Sequence, residues 1–182
     1  MAYHIYFYED NKFGQLYPLT LTRPAFLLRA GILPQFERLA RHVEHDAIGL
    51  LCREQIAPLL AEHQPQLPVN IVKTDDEGVL LLNGRIRNWG DLTQKLDGLT
   101  MSTVLQNGDQ TVAVLLRADF LEDLPSMMEG PALLEAVRKQ IGDFPQQDTA
   151  ATLYNFLWEV VEDIPGAVAE DFAAVSSGVG VP

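Results

Sequence analysis

The chain of 182 residues is long enough for one domain with a sizeable core, and its 47% hydrophobic and 21% charged content is ordinary for a globular protein. Its 13 basic and 25 acidic residues leave a net charge of −12, which excludes the basic face that a nucleic-acid backbone requires. The single cysteine, Cys52, excludes an internal disulfide, and no apolar run is long enough to span a bilayer.

The opening Met1-Ala2-Tyr3-His4 carries no secretory pattern, so a cytoplasmic location without membrane partners is the expectation. The acidic excess lies mostly in the second half, so an anionic small molecule would be received by the first half. Met1–Tyr8 reads as a buried first strand, β-prone on both faces. Glu9–Gln15 is a polar loop containing Gly14, and Arg23-Pro24 opens a helical pattern over Ala25–Arg41. A strand, a loop and a helix start mark where an open α/β sheet binds ligands. Asp46–Cys52 is a second strand, and Arg53–His63 a helix with Ile56, Leu59 and Leu60 on one face. Val69–Lys73 is a short strand, followed by the acidic turn Thr74–Gly78 and the apolar strand Val79–Leu82, which runs into Asn83-Gly84-Arg85.

Asp91–Leu96 reads as a short helix. Met101–Leu105 and Thr111–Leu116 form a hairpin around Asn107-Gly108-Asp109. Ala118–Asp123, Ala132–Ile141, Thr149–Val161 and Gly166–Val175 carry helical spacing. Strands and helices alternate in the first half and helices dominate the second. The expected fold is therefore α/β, a mostly parallel nucleotide-binding sheet flanked by helices, over residues 1–175. Residues 176–182 read as a tail that approaches a further unit.

Leu16-Tyr17-Pro18-Leu19-Thr20 resembles the end of the sugar-phosphate nucleotidyltransferase signature, a Gly-rich loop closing in Arg-Leu/Met-x-Pro-Leu-Thr. The longer run Leu16–Ile32 is similar to a divergent branch of that family, related to the bifunctional uridylyltransferase/acetyltransferase that makes UDP-N-acetylglucosamine. Leu82-Asn83-Gly84-Arg85, Leu157-Trp158-Glu159-Val160 and Ala169-Glu170-Asp171-Phe172 resemble the branch as well. The resemblance implies a nucleoside triphosphate or nucleotide sugar as partner, and transfer to a sugar 1-phosphate with release of pyrophosphate. It also implies a following left-handed β-helix, similar to an acyltransferase, through which the chain would form a homo-oligomer.

The family site supplies a Gly-rich loop with an Arg, a Lys after the Pro, and an Asp that binds Mg²⁺ at a strand end. Here Gln15 and Ala25 stand at the cationic positions, and the Gly-Asp pair reads Gly84-Arg85. These departures weigh against ordinary Mg²⁺-assisted transfer, and the resemblance also leaves a catalytically degenerate binding or interaction module open. The substitutes are arginines, which bind phosphate bidentately and stay charged. Arg23 and Arg85 are the catalytic candidates, expected to converge on one crevice. Gly14, Thr20, Arg23 and Arg29 are the nucleotide or phosphate candidates, and Asn83, Gly84 and Arg87 the sugar candidates. Asp171 is the replacement metal carboxylate. The bland alternative pairs Arg23 and Arg29 with Glu9, Asp10 or helix carboxylates. Trp89 and Trp158 stack on a base or pack between elements; Leu153, Phe156, Leu157, Val160 and Val161 serve core or interface.

Overall fold

The computed structural model describes residues 3–74 and 78–176; the predicted acidic turn at 75–77 and the tail after Ser176 lie outside the described residues. In chain order the elements are β1 (Tyr3–Tyr8), α1 (Gln35–Ala40), β2 (His45–Leu51), α2 (Ala57–His63), β3 (Ile71–Lys73), β4 (Val79–Asn83), β5 (Ile86–Asn88) and α3 (Leu92–Leu96). There follow β6 (Thr103–Asn107), β7 (Gln110–Leu116), α4 (Ala118–Leu121), β8 (Met127–Glu129), α5 (Gly130–Gln140), β9 (Gln146–Asp148), β10 (Thr152–Leu153), α6 (Leu157–Glu162) and α7 (Ile164–Ser176).

The central sheet has six strands in the order β2-β1-β4-β7-β6-β9. The pairs β1·β2, β1·β4 and β6·β9 are parallel; β4·β7 and β6·β7 are antiparallel. The expected α/β fold with a mostly parallel, helix-flanked sheet is what the chain adopts. β4 is buried at every residue because it lies between β1 and β7 with apolar side chains packed on both faces, which is why it reads as a continuous apolar run.

β1 shows how the two faces are used. Ile5 and Phe7 join Phe36, Leu39, Leu80 and Leu115 in one core, while Tyr6 joins Leu51, Leu81, Leu133 and Val137 in the other. A third, smaller cluster (Leu16, Ala25, Leu28, Ala30, Tyr154, Val160 and Ala167) joins the segment after β1 to α6 and α7. The predicted hairpin forms, with Gly108 turning the chain at φ +58°, where a side chain is strained. Among the described residues no helix is long and apolar enough to cross a membrane.

Three helical expectations need correction. The predicted helix over Ala25–Arg41 is a 3₁₀ turn at Ala25–Leu27, an extended stretch, and then α1. Pro34 has no N–H to continue a helix and forces its predecessor away from the helical region. The predicted helix over Thr149–Val161 begins only at Leu157, because Thr152 and Leu153 pair with β5 instead. The helix predicted over Arg53–His63 likewise starts at Ala57, with Pro58 in its first turn. α7 runs through Ser176, one residue beyond the expected domain end.

Candidate functional site

Parallel pairing sets Tyr8 opposite both Leu51 and Asn83, so the carboxyl ends of β1, β2 and β4 share one edge of the sheet. Antiparallel β7 starts at that edge, and α5 covers it. The edge holds a cavity of about 240 Å³, lined by Tyr8, Asp10, Lys12, Asn83, Thr111 and Arg138 among others. A second cavity of about 320 Å³ shares Glu9, Asp10, Asn11, Leu134 and Arg138 with the first and reaches Cys52 and Arg53. Together they make one cleft at the place where open α/β sheets receive ligands.

Two ion pairs organise its floor. Arg85, only 1% exposed, lies against Asp10: Nε donates to Oδ1 at 2.9 Å and to Oδ2 at 3.1 Å, and Nη2 donates to Oδ2 at 2.6 Å. Nη1 of Arg85 donates to the Tyr154 carbonyl and, at 3.4 Å, to Asn155 Oδ1. Asn83 Nδ2 donates to Asp10 Oδ2 at 3.0 Å and to the Thr111 carbonyl at 3.0 Å, while Asn83 Oδ1 accepts from the Arg85 backbone N–H at 2.9 Å. Burial pushes the Asp10 carboxyl up, but the Arg85 hydrogen bonds, the Arg85 charge and the Asn83 amide outweigh it and hold the group below the usual carboxylate range.

Arg53 makes the second pair. Its Nη1 donates to Glu9 Oε1 at 2.6 Å, its Nη2 donates to the carbonyls of Thr20 and Leu21 at 2.5 and 3.0 Å, and its guanidinium lies 4.4 Å from the Phe13 ring centre. One side chain therefore clamps both ends of the loop that follows β1. Burial raises the Glu9 carboxyl despite this partner.

The expected site residues divide. Asn83 and Arg85 line the cleft, with Gly84 directly behind it. A Cβ on Gly84 would stand 2.9 Å from the Phe26 ring and 3.1 Å from the Tyr8 carbonyl, so only glycine fits there. Arg85 directs its side chain at Asp10, the Tyr154 carbonyl and Asn155. Arg23 and Arg29 line a different cavity, of about 350 Å³, with Leu27, Ile56, Leu59 and His63. The expectation that Arg23 and Arg85 share one crevice is thereby corrected: the chain after Tyr8 is folded back by Arg53 and carries Arg23 past the cleft. Glu9 and Asp10 take Arg53 and Arg85 as partners, not Arg23 and Arg29, whereas the Arg29 charge acts on the α1 carboxylate of Glu37.

Thr20 is buried and donates to the Phe13 carbonyl at 2.7 Å, closing its own loop. Gly14 lies in a 3₁₀ turn at Phe13–Leu16 with room for a side chain. Arg87 is held by Asp163 at 2.9 and 2.8 Å and by Glu159 at 3.3 Å. Asp171 is buried, and its Oδ2 accepts the backbone N–H groups of Ile32 at 2.8 Å and Leu33 at 3.0 Å. Its Oδ1 accepts from Arg38 Nε at 3.1 Å, so it anchors α7 to α1 and lines neither lobe of the cleft. Trp89 packs, stacked on His42 at 5.1 Å, whereas Trp158 is exposed and stacks on Phe156 at 4.3 Å. Leu153 and Val160 are buried and Val161 is exposed.

The residues present do not fit the Mg²⁺ site that the family pattern implies. Where that pattern has a strand-end carboxylate this chain has the Arg85 cation, and the nearby Asp10 is already saturated by it. Among the described residues there is no group of three or more His, Cys, Asp or Glu that could hold a metal ion. Lys12, Asp10 and Arg138 are the cleft groups that the sequence reading missed. The only signal for the first two was their place just after β1; Arg138 arrives from α5, with no local motif.

A family profile described as sugar nucleotidyl transferase matches residues 5–179. No curated protein matches the sequence. Among solved structures the chain is similar to a Bacillus anthracis protein assigned as a glucose-1-phosphate thymidylyltransferase, at 12% identity and a TM-score of 0.56, covering 91% of this chain and 95% of that one. It is similar to a UDP-glucose pyrophosphorylase from Acinetobacter baumanii at 10% identity and a TM-score of 0.53, covering 97% and 99%. HddC from Yersinia pseudotuberculosis gives 12% identity and a TM-score of 0.52, covering 94% and 100%. At such identities these likenesses establish the fold, whereas the profile spans nearly the whole sequence. The chain belongs to the sugar nucleotidyl transferase family.

Proposed function

We propose that the cleft at the carboxyl edge of β1 and β4 takes a nucleoside triphosphate and a sugar 1-phosphate and joins them. A sugar-phosphate oxygen attacks the α-phosphorus, the bond from that phosphorus to the β-phosphate oxygen breaks, and pyrophosphate leaves. Such a reaction needs positioning and neutralisation of phosphate charge more than covalent help. The observation that carries the reading is the position of the cleft at the parallel strand ends in a member of this family. Lys12 and Arg138 supply cationic charge at its rim, and the Asp10–Arg85–Asn83 cluster gives it a rigid floor.

UTP with N-acetylglucosamine 1-phosphate is the first pair to offer, because the run Leu16–Ile32 resembles the uridylyltransferase-related branch. The test is incubation with each common nucleoside triphosphate and a panel of sugar 1-phosphates, following nucleotide sugar by chromatography and pyrophosphate by a coupled assay. Equal amounts of both products support transfer; no product from any pair overturns it. The spent state of Asp10 favours one second reading, binding of a nucleotide sugar without turnover. That reading requires saturable binding in titration calorimetry with no pyrophosphate formed.

A further inference from the structure

We propose that the Asp10–Arg85 pair excludes a divalent cation from this site, so that a nucleotide enters the cleft without Mg²⁺ and meets Lys12 and Arg138 with its phosphates. The inference rests on the reading that the cleft takes a nucleotide. A hard cation needs several free oxygen ligands. Here Asp10 Oδ1 already accepts from Arg85 Nε at 2.9 Å and from the Lys12 backbone N–H at 3.1 Å. Oδ2 accepts from Arg85 Nη2 at 2.6 Å and Asn83 Nδ2 at 3.0 Å. With the further bond from Arg85 Nε to Oδ2 at 3.1 Å, these bonds use the acceptor positions that a carboxylate has. The amide oxygen of Asn83 is engaged as well, by the Arg85 backbone N–H.

An incoming ion would have to displace a guanidinium that is 1% exposed and fixed from behind by Tyr154 and Asn155. Arginine keeps its charge at every working pH, so it is a permanent occupant. Its charge is cancelled by Asp10, so an anionic guest must find cations elsewhere in the cleft. Glu9 is neutralised by Arg53. The remaining charged side chains of the two lobes are Lys12, Glu54, Asp109, Glu135 and Arg138. Arg138 has only a loose partner, Glu135 at 3.7 Å, and is 76% exposed. Lys12 forms no ion pair among the described residues. These two cations line the first lobe together with Asp10.

The experiment is calorimetric titration of the intact chain with ATP, CTP, GTP, UTP and dTTP, each with excess Mg²⁺ and again in EDTA. The expected result is that the nucleotide that binds does so in EDTA with a Kd within about threefold of its value in Mg²⁺. Lys12→Ala and Arg138→Ala should each weaken binding in EDTA by about tenfold, with the Tm unchanged. A larger loss of affinity in EDTA overturns metal independence. Wild-type affinity in the double variant Lys12→Ala/Arg138→Ala overturns the assignment of the phosphate contacts. Absence of binding by every nucleotide in both buffers instead overturns the reading that the cleft takes a nucleotide.

Discussion

Replacing Asp171 tests whether a single carboxylate joins α7 to the body of the protein. Asp171 is 1% exposed, and its two oxygens divide their work: Oδ2 receives two backbone N–H groups and Oδ1 receives Arg38. Asp171→Ala strands all three donors. A buried donor left unmade costs about 1–3 kcal/mol, and loss of one partner of a buried ion pair about 3–5 kcal/mol. Arg38 is 14% exposed and keeps Glu170, so its share falls to about 1–2 kcal/mol; Ile32 is exposed, so the two amides together cost about 2–3 kcal/mol, and a total of about 3–5 kcal/mol follows. Asp171→Asn can keep its oxygen at the Oδ2 position and lose only Arg38, at about 1–2 kcal/mol. For a chain of this size each kcal/mol moves the Tm by roughly 2–4 °C, so alanine should lower it by about 6–20 °C and asparagine by about 2–8 °C. Urea unfolding and calorimetry on the three proteins measure both. An alanine variant within about 1 kcal/mol of wild type, or an asparagine variant as damaged as alanine, refutes the anchoring argument. Mg²⁺ should leave the Tm of all three unchanged; a rise confined to wild type would restore the metal role expected from sequence.

Arg53→Ala should loosen the loop after β1, because the Arg53 side chain ties Glu9 to the carbonyls of Thr20 and Leu21. Amide exchange at Leu19 and Leu21 should accelerate, and unchanged exchange there would mean that the loop holds without its clamp. The Asp10 carboxyl lies below its ordinary range when folded, so its contribution is complete above the ordinary value and fades as pH falls through the folded value. Stability measured by urea should therefore decline on the acid side below about pH 4, and Asp10→Asn should flatten that slope; an unaltered slope would remove Asp10 as its source. Burial, with a smaller push from the Glu9 charge, raises the Cys52 thiol to about 12. At pH 8 roughly one molecule in ten thousand carries the thiolate, so native alkylation should be slow and denaturant should speed it. Rapid labelling of the folded chain would contradict the buried placement.

The long strands were legible because each is an apolar or β-branched run bounded by turn residues: β4 by the unbroken apolar run Val79–Leu82, Thr103–Leu116 by the Gly108 turn. Of the short strands, β3 was legible within Val69–Lys73; the others were not. Met127–Glu129, Gln146–Asp148 and Thr152–Leu153 are made by pairing with β3, β6 and β5, and two or three residues cannot show a period. The helix laid over Ala25–Arg41 failed where its apolar spacing was trusted over Pro34. At the site, Arg85 could be placed at a strand end from sequence, but its partner Asp10 is 75 residues away, and no local pattern reports such a pairing. The same gap explains Arg23: nothing near it in sequence says that it lines a separate cavity with Ile56, Leu59 and His63.

The last two helices are attached in an unusual manner. α7 buries only Ala167 and Asp171, and α6 only Val160. Much of what fastens the pair comes from two arginines, Arg38 reaching Glu170 and Asp171, and Arg87 reaching Glu159, Glu162 and Asp163. Concentrated salt weakens such partly wet pairs while leaving apolar packing intact. High ionic strength should consequently loosen the Arg87 contacts with Glu159, Glu162 and Asp163 first, while the buried Asp171 anchor and its apolar neighbours hold the carboxyl-terminal brace to the rest of the chain.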